Sequence, residues 1–524
     1  MKKILSLAIL LAAASPAVES RAQNNQQSNQ SFQEFRKGIL NDFSSFRSRI
    51  LEHYSDFLNG EWHEYEPLKP EVRDSKPKPR TVPKVKPVKD IPVAEKPVKP
   101  KPEPTPEPKH EPTPEPVQKP VREPEPTPVP VQKPEPIPEP EPVRTPVPVQ
   151  KPVERPKPDI EVDQFSFYNM PLQVPKVEFN VKQRLLNTSD FASQWKNLAA
   201  QDVAAQVMPS IKKIASDAGL NDFLTYRLVN DYVNSKLSDA DNTTKISVIH
   251  YILANLGYNA RIALTTTGIP LLLLPTEQII YAKMALMLNG RKFYVFQPDG
   301  VDDKALNGAM IQTCTLPAEA SKGRDFDLVL GELRIPVKPK SFSLEHGPLH
   351  LTGEVNENLM PILYRYPQMP IKDYARSVIQ PDLRANLVKQ MREQLAGMDN
   401  DADVEALLSF VQHVFEYSTD QNYHGFEKPY FVEESLYYPK NDCEDRAIFY
   451  TYFLWNALGR EAQLVSFPGH EAATVKLSGP SDGTSYKFDG ETFTISDPTY
   501  VGASSGMVMP DYRGIIPDID FTYR

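Results

Sequence analysis

Between residues 31 and 58, apolar side chains recur at Phe32, Phe35, Ile39, Phe43, Phe46, Ile50, Tyr54 and Phe57, in steps of three and four. That period belongs to an α-helix with one apolar stripe, so the pattern predicts an amphipathic helix over 31–60. Its polar positions mix Lys, Arg, Asp and Glu, unlike a helix built for anionic lipid. The stripe has two outlets. It docks on the protein's own domains or self-associates as a coiled coil, or it meets a partner helix or a membrane surface.

Further along, a run of elements occurs twice. Asn221–Val233 has helical spacing, Thr244–Leu256 is an apolar helix closed by Gly257, and Ala260–Leu264, Ile280–Leu288 and Lys292–Phe296 read as strands. The same order returns as Ala406–Phe415, then an apolar helix from Arg446 to Gly459, then Ala462–Phe467 and later strands. Setting Gly257 on Gly459 places Asp241 opposite Cys443 and Gly268 opposite His470. The expected fold is therefore α+β, a helix on an antiparallel sheet, duplicated. The first copy, 165–305, lacks Cys and His at the matching places. Residues 306–375 form a β-rich connection, because Leu333, Ile335, Val337, Leu349 and Leu351 alternate with polar residues between Pro and Gly. The second copy occupies 376–524, and its Pro- and Asp-rich tail after Gly506 is expected to wrap the domain.

Composition adds the outer parts. More than half of the 53 prolines fall between Pro67 and Pro158, where Pro-Val-Gln-Lys-Pro recurs at Pro116, Pro130 and Pro148. Such a stretch cannot bury a core and favours extended polyproline II, so 66–160 reads as a low-complexity linker. Met1-Lys2-Lys3, the apolar run Ile4–Ala14 and Ser20-Arg21-Ala22 read as a signal peptide over 1–22, placing the protein in the periplasm or outside the cell. No apolar run is long enough for an integral membrane segment. The net charge of -9 without a basic domain argues against nucleic acid as a partner. Two cysteines, Cys314 and Cys443, exclude a disulfide framework and read as free thiols, Cys314 a structural one.

The candidate chemistry lies in the second copy. Asn441-Asp442-Cys443-Glu444-Asp445 opens the apolar helix, Pro468-Gly469-His470 follows the next strand, and Ser496-Asp497-Pro498-Thr499 ends a later one. His470 and Asp497 are 27 residues apart, and Cys443 precedes His470 by the same interval. A helix start and a neighbouring imidazolium both stabilise a thiolate. A carboxylate on the far ring nitrogen fixes the imidazole tautomer. Free N–H groups at the helix start can receive an oxyanion. Taken singly, each residue has a plainer reading: a small buried Cys, a capping His, an Asp-Pro turn. Likewise, Asp442, Glu444 and Asp445 suit a helix N-terminus by charge alone.

Cys443 on a helix, Gly469-His470 on a strand and Asp497-Pro498-Thr499 on a later strand, in that order, resemble the transglutaminase-like (papain-like) superfamily over roughly 380–510. The Asp442-Cys443-Glu444-Asp445 run is similar to bacterial transglutaminase-like cysteine proteinases. The resemblance implies a papain-like core, a Cys443-His470-Asp497 triad and acyl transfer through a thioester. It also implies calcium held by Asp442, Glu444 and Asp445, no cofactor being required for the thiol chemistry itself. Exported relatives tilt the expectation to a peptidase or amidase acting on protein or peptide amides. A protein-crosslinking transglutaminase uses the same triad with an amine as acceptor. The non-enzymatic alternative is a periplasmic scaffold or binding protein. One departure stands out: Glu471-Ala472-Ala473 follow His470 where the family often carries an aromatic residue. In Tyr437-Tyr438-Pro439-Lys440, just before the Cys, a Tyr hydroxyl is a candidate oxyanion donor or a packed aromatic. Tyr423, Phe426, Tyr430 and Phe431 are candidate groove or core residues, with His424 among them.

Overall fold

A computed structural model describes residues 51, 53–73, 161–316 and 323–524. The expected signal peptide, most of the 31–60 helix and residues 74–160 of the linker lie outside them. The fold is α+β, with helices packed on antiparallel sheets.

The described end of the amphipathic stripe docks on the chain itself. Tyr54 and Leu58 are buried; the Tyr54 ring stacks on Trp195 at 4.3 Å and its hydroxyl meets His250 Nε2 at 3.1 Å. The chain continues as β1 (Trp62–Tyr65) and then, after the linker, as the hairpin β2 (Val162–Phe167) and β3 (Met170–Pro175).

Four helices follow: Thr188–Ala200, Val203–Ala218, Asp222–Lys236 and Asn242–Leu256. Local chemistry sets their ends. Side chains of Asn187, Asn221 and Asp241 each accept a backbone N–H at a helix start, and Gly257 takes φ +108° at the close of the last. Helix Asn242–Leu256 is buried along nearly its whole length, which explains its lack of a polar face.

Strands β4 (Arg261–Thr265), β5 (Pro270–Pro275), β6 (Ala285–Leu288), β7 (Arg291–Phe296) and β8 (Ile311–Cys314) form an antiparallel sheet with β1, in the order β1-β8-β4-β5-β7-β6. The continuous apolar run of β5 is covered on both faces. Leu272 and Leu274 join the main core, while Leu271 and Leu273 pack with Leu286, Phe293 and Val295. Only Ala285–Leu288 of the expected strand Ile280–Leu288 is extended in the sheet. Before it, Tyr281 N–H donates to Gln368 O and Ala282 N–H to Glu71 O, so this backbone bonds to loops instead of a sheet partner.

The connection is a hairpin, β9 (Pro339–His346) with β10 (Leu349–Asn356), lying against helix Pro381–Leu395. There Gln390 and Gln394 side chains donate to the carbonyls of Thr352 and His350.

In the second half, helix Ala402–Val414 precedes β11 (Glu416–Tyr417) and β12 (Lys440–Asn441), which pair in parallel. Helix Cys443–Asn456 leads to β13 (Ala462–Phe467), β14 (His470–Val475), β15 (Ser485–Phe488), β16 (Glu491–Ser496) and β17 (Asp518–Tyr523). Their order is β15-β16-β14-β13-β17. Reading β6-β7-β5-β4-β8 of the first sheet gives the same sequence of neighbours. The helix starts also correspond: Asp241 and Asp442 are both N-caps. Asn242 is thus the first residue of its helix, as Cys443 is of the other.

Candidate active site

The approach to Cys443 is held extended by β12, with Tyr417 beside Asn441 and the Ser418 N–H donating to Asn441 O at 3.0 Å. The Asp442 N–H then donates to Asp445 Oδ2 at 3.2 Å, and the chain enters the helix. Cys443 is its first residue. The helix start is pinned by buried Arg446, which donates to Asn441 Oδ1 at 2.9 Å, Phe415 O at 2.7 Å and Gln412 O at 3.4 Å. The aligned peptide dipoles make this the electropositive end of the helix.

His470 opens β14. It faces Phe467 across the hairpin, so Pro468-Gly469 is the whole turn, and Gly469 takes φ +70°, a conformation that glycine adopts without strain. Asp497 follows the end of β16, the strand next to β14. Helix and sheet are tied just there, Tyr450 Oη lying 2.8 Å from Ser496 Oγ.

These elements bring the three expected residues together. His470 Nε2 is 2.8 Å from Asp497 Oδ2, while Asp497 Oδ1 accepts the Thr499 N–H at 2.8 Å. With Nε2 engaged, Nδ1 is the ring nitrogen left open, and Cys443 is near enough to act on the charge of the ring. Cys443 Sγ also donates to Glu444 Oε2 at 3.5 Å. Burial pushes the imidazole pKa down, but the Asp497 charge and hydrogen bond, together with Cys443, outweigh it and hold His470 well above its ordinary value. Cys443 itself has no solvent exposure, and His470 and Asp497 are 3% exposed.

Several residues that the sequence did not single out complete the site. Tyr512 stacks on His470 with ring centroids 5.2 Å apart, and Phe467 packs on Tyr512 in turn. Gln412 Nε2 is shared among the carbonyls of Asp497, Tyr500 and Ala503, and its Oε1 accepts the Gly502 N–H. Tyr417 is half-buried beside Cys443 and Asp442; burial first, then those charges, raises its hydroxyl pKa, and the Arg446 guanidinium lies 5.4 Å from its ring centre.

The carboxylates around the thiol form overlapping groups, each with its atoms within 4.8 Å of one another: Asp442 and Glu444 with Cys443, Asp442 and Asp445 with Asp420, and Glu444 with Asp420 and Glu427. The carboxylate donors are hard oxygens, the type that suits Ca²⁺. Several are already engaged: Asp445 Oδ1 accepts Tyr430 N–H at 2.7 Å, and Asp420 Oδ2 accepts Lys428 N–H at 2.6 Å.

Other candidates fall elsewhere. Tyr437 donates to Glu357 Oε1 at 3.3 Å and lies under Lys340, bonding away from the thiol. Tyr430 and Phe431 are core, whereas Tyr423 and Phe426 are partly exposed. Phe426 and Tyr364 border a cleft of about 830 Å³. Cys314 is buried in β8, and burial pushes its thiol up to about 11.

No helix among the described residues is long and apolar enough to cross a membrane. No protein-family model matches the chain, and comparison with curated proteins returns no significant similarity.

Proposed function

We propose that the protein is an exported cysteine acyl-transfer enzyme, a transglutaminase-like peptidase or amidase acting on protein or peptide amide bonds. One observation carries the reading: a carboxylate 2.8 Å from Nε2 holds a buried imidazole, and a thiol at a helix start lies near enough to act on its charge. An imidazole kept protonated beside a thiol favours the thiolate, the nucleophilic form.

In the reaction, Cys443 Sγ attacks the substrate carbonyl carbon. The oxygen that becomes negative is received by N–H groups at the helix start, that of Cys443 among them. His470 gives its proton to the leaving amine, leaving a thioester and neutral imidazole. Water then attacks the thioester, His470 taking its proton, and the acid product and thiolate are released. Asp497 keeps the ring oriented throughout.

Two further expectations belong to this reading. The matching helix position and identical strand order support a duplicated papain-like core, the first copy extending past 305 to include β8 and having lost its chemistry with Asn242 at the nucleophile's place. Calcium, if bound, would be held by Asp420, Asp442 and Asp445, where it would neutralise buried carboxylates beside the helix start. The expected sign is a higher melting temperature in Ca²⁺ than in EGTA, lost in Asp420→Asn. Equal melting in both discards the ion.

The direct test of function compares wild type and Cys443→Ala on a denatured protein substrate. Release of new amino termini or ammonia by wild type alone supports the hydrolase. Incorporation of a labelled primary amine without net hydrolysis assigns a crosslinking enzyme. Equal behaviour of the two proteins, both folded, leaves a binding protein.

A further inference from the structure

The segment after β1 does more than join sheet to linker. β1 pairs with β8, the Leu68 N–H donates to Ala285 O, and Glu71 O accepts the Ala282 N–H. Glu71 Oε1 also meets Lys292 Nζ. These anchors carry the chain across the first half and deliver Arg73 beside His470.

Arg73 enters a cavity of about 420 Å³ lined by His470, Glu471, Asp518 and Asp520. Its Nη2 is 3.3 Å from Glu471 Oε1 and its Nε 3.7 Å from Glu427 Oε1, and the guanidinium lies 5.6 Å from the ring centre of Tyr281. The side chain is only 9% exposed. Its Nη1, fully buried, makes no hydrogen bond among the described residues.

Burying a guanidinium is costly, and an ion pair offsets that cost only when the donors are well satisfied. Here one nitrogen is unsatisfied, and Glu471, Glu427, Asp518 and Asp520 surround or line the space that Arg73 enters, with Lys372 also acting on Asp520. The arrangement selects for positive charge more strongly than it fits this particular arginine. It also adjoins the imidazole that would protonate a leaving amine, while Cys443 itself is fully buried.

We propose that this acidic cavity is a substrate subsite for an arginine or lysine side chain next to the amide handled at Cys443, and that Arg73 occupies it as an internal competitor. The proposal rests on the acyl-transfer reading of Cys443, His470 and Asp497. A basic polypeptide displaces Arg73, takes its contacts with Glu471 and Glu427, and gains access to the thiol as the strap at 66–73 withdraws.

The test separates binding from chemistry. In the full-length Cys443→Ala background, calorimetry measures L-argininamide and, as uncharged control, L-norleucinamide. Arg73→Ala is expected to bind argininamide at least tenfold more tightly than the protein that keeps Arg73. Adding Glu471→Gln should remove that gain, and norleucinamide should not bind. Argininamide bound no better than norleucinamide by Arg73→Ala overturns the subsite. If Arg73→Ala does not fold, Arg73→Gln is measured in the same way.

With Cys443 present, Arg73→Ala should raise its rate of iodoacetamide modification several-fold, and argininamide should slow it again. An unchanged rate overturns the competitor role. Argininamide binding with a Cys443 that shows no His-paired reactivity would remove the acyl-transfer reading and leave the cation site standing.

Discussion

Tyr512 lies face to face with His470, the ring planes 10° from parallel. The contact joins a residue of the C-terminal tail to the first residue of β14. It is kept in place by β17, which pairs with β13 and so fixes the tail on the sheet edge. Shielding by the phenol ring keeps water off one face of the imidazole and strengthens its bond to Asp497.

Replacing that ring should therefore matter twice. Tyr512→Ala is expected to cost about 3 kcal/mol in urea denaturation, typical for deletion of a buried aromatic ring. It should also lower kcat/KM roughly tenfold or more, whereas Tyr512→Phe keeps the stack and most of the activity. Activity unchanged in Tyr512→Ala would detach the tail from catalysis.

Asp497→Asn is expected to keep the fold and reduce kcat by about 10³–10⁴, because the amide does not enforce the required tautomer. It should also change stability with pH. His470 has a folded pKa raised above the unfolded value of about 6.5, so its contribution is full below that pH and fades as pH climbs through the raised value. The stability gap between wild type and Asp497→Asn should be widest near pH 6 and shrink in alkaline solution. Denaturation midpoints at several pH values check this, and a gap that widens with pH contradicts it.

Gln412 acts through the loop that carries Asp497. Gln412→Ala removes the donor shared by three buried carbonyls and the acceptor of the Gly502 N–H, a loss of about 1–3 kcal/mol. Turnover should fall with it. In the double variant with Asp497→Asn the two activity losses should not add, since both act on the same imidazole. Full additivity would place Gln412 outside this unit.

Much of the site was legible because its signals are local. An acidic run at the start of an apolar helix, Pro-Gly before a strand and Asp-Pro-Thr after one mark Cys443, His470 and Asp497 within a few residues each. The repeated order of elements was visible for the same reason. Arg73 was hidden by distance, being 398 residues from Glu471 and sitting where the proline-rich linker was expected to have begun. Gln412 reaches its carbonyls 85 to 91 residues away. Tyr512 lies in a stretch whose composition says turn, not stacking partner. The segment 280–284 reads as strand by its residues, yet its neighbours, Glu71 and Gln368, offer loop contacts in place of a ladder.

Iodoacetamide measures the pairing of the Cys443 thiol with His470. Cys443 and Cys314 are followed by mass in one sample from pH 4 to 10, with Arg73→Ala in parallel to open the cavity. Cys314, buried and pushed up to about 11, serves as the internal reference. Cys443 is expected to react well below the free-thiol pKa of about 8.5, and His470→Ala to remove that low-pH reaction. Reactivity of Cys443 that rises only near that pKa, and is the same in His470→Ala, would contradict the pairing and the enzyme with it.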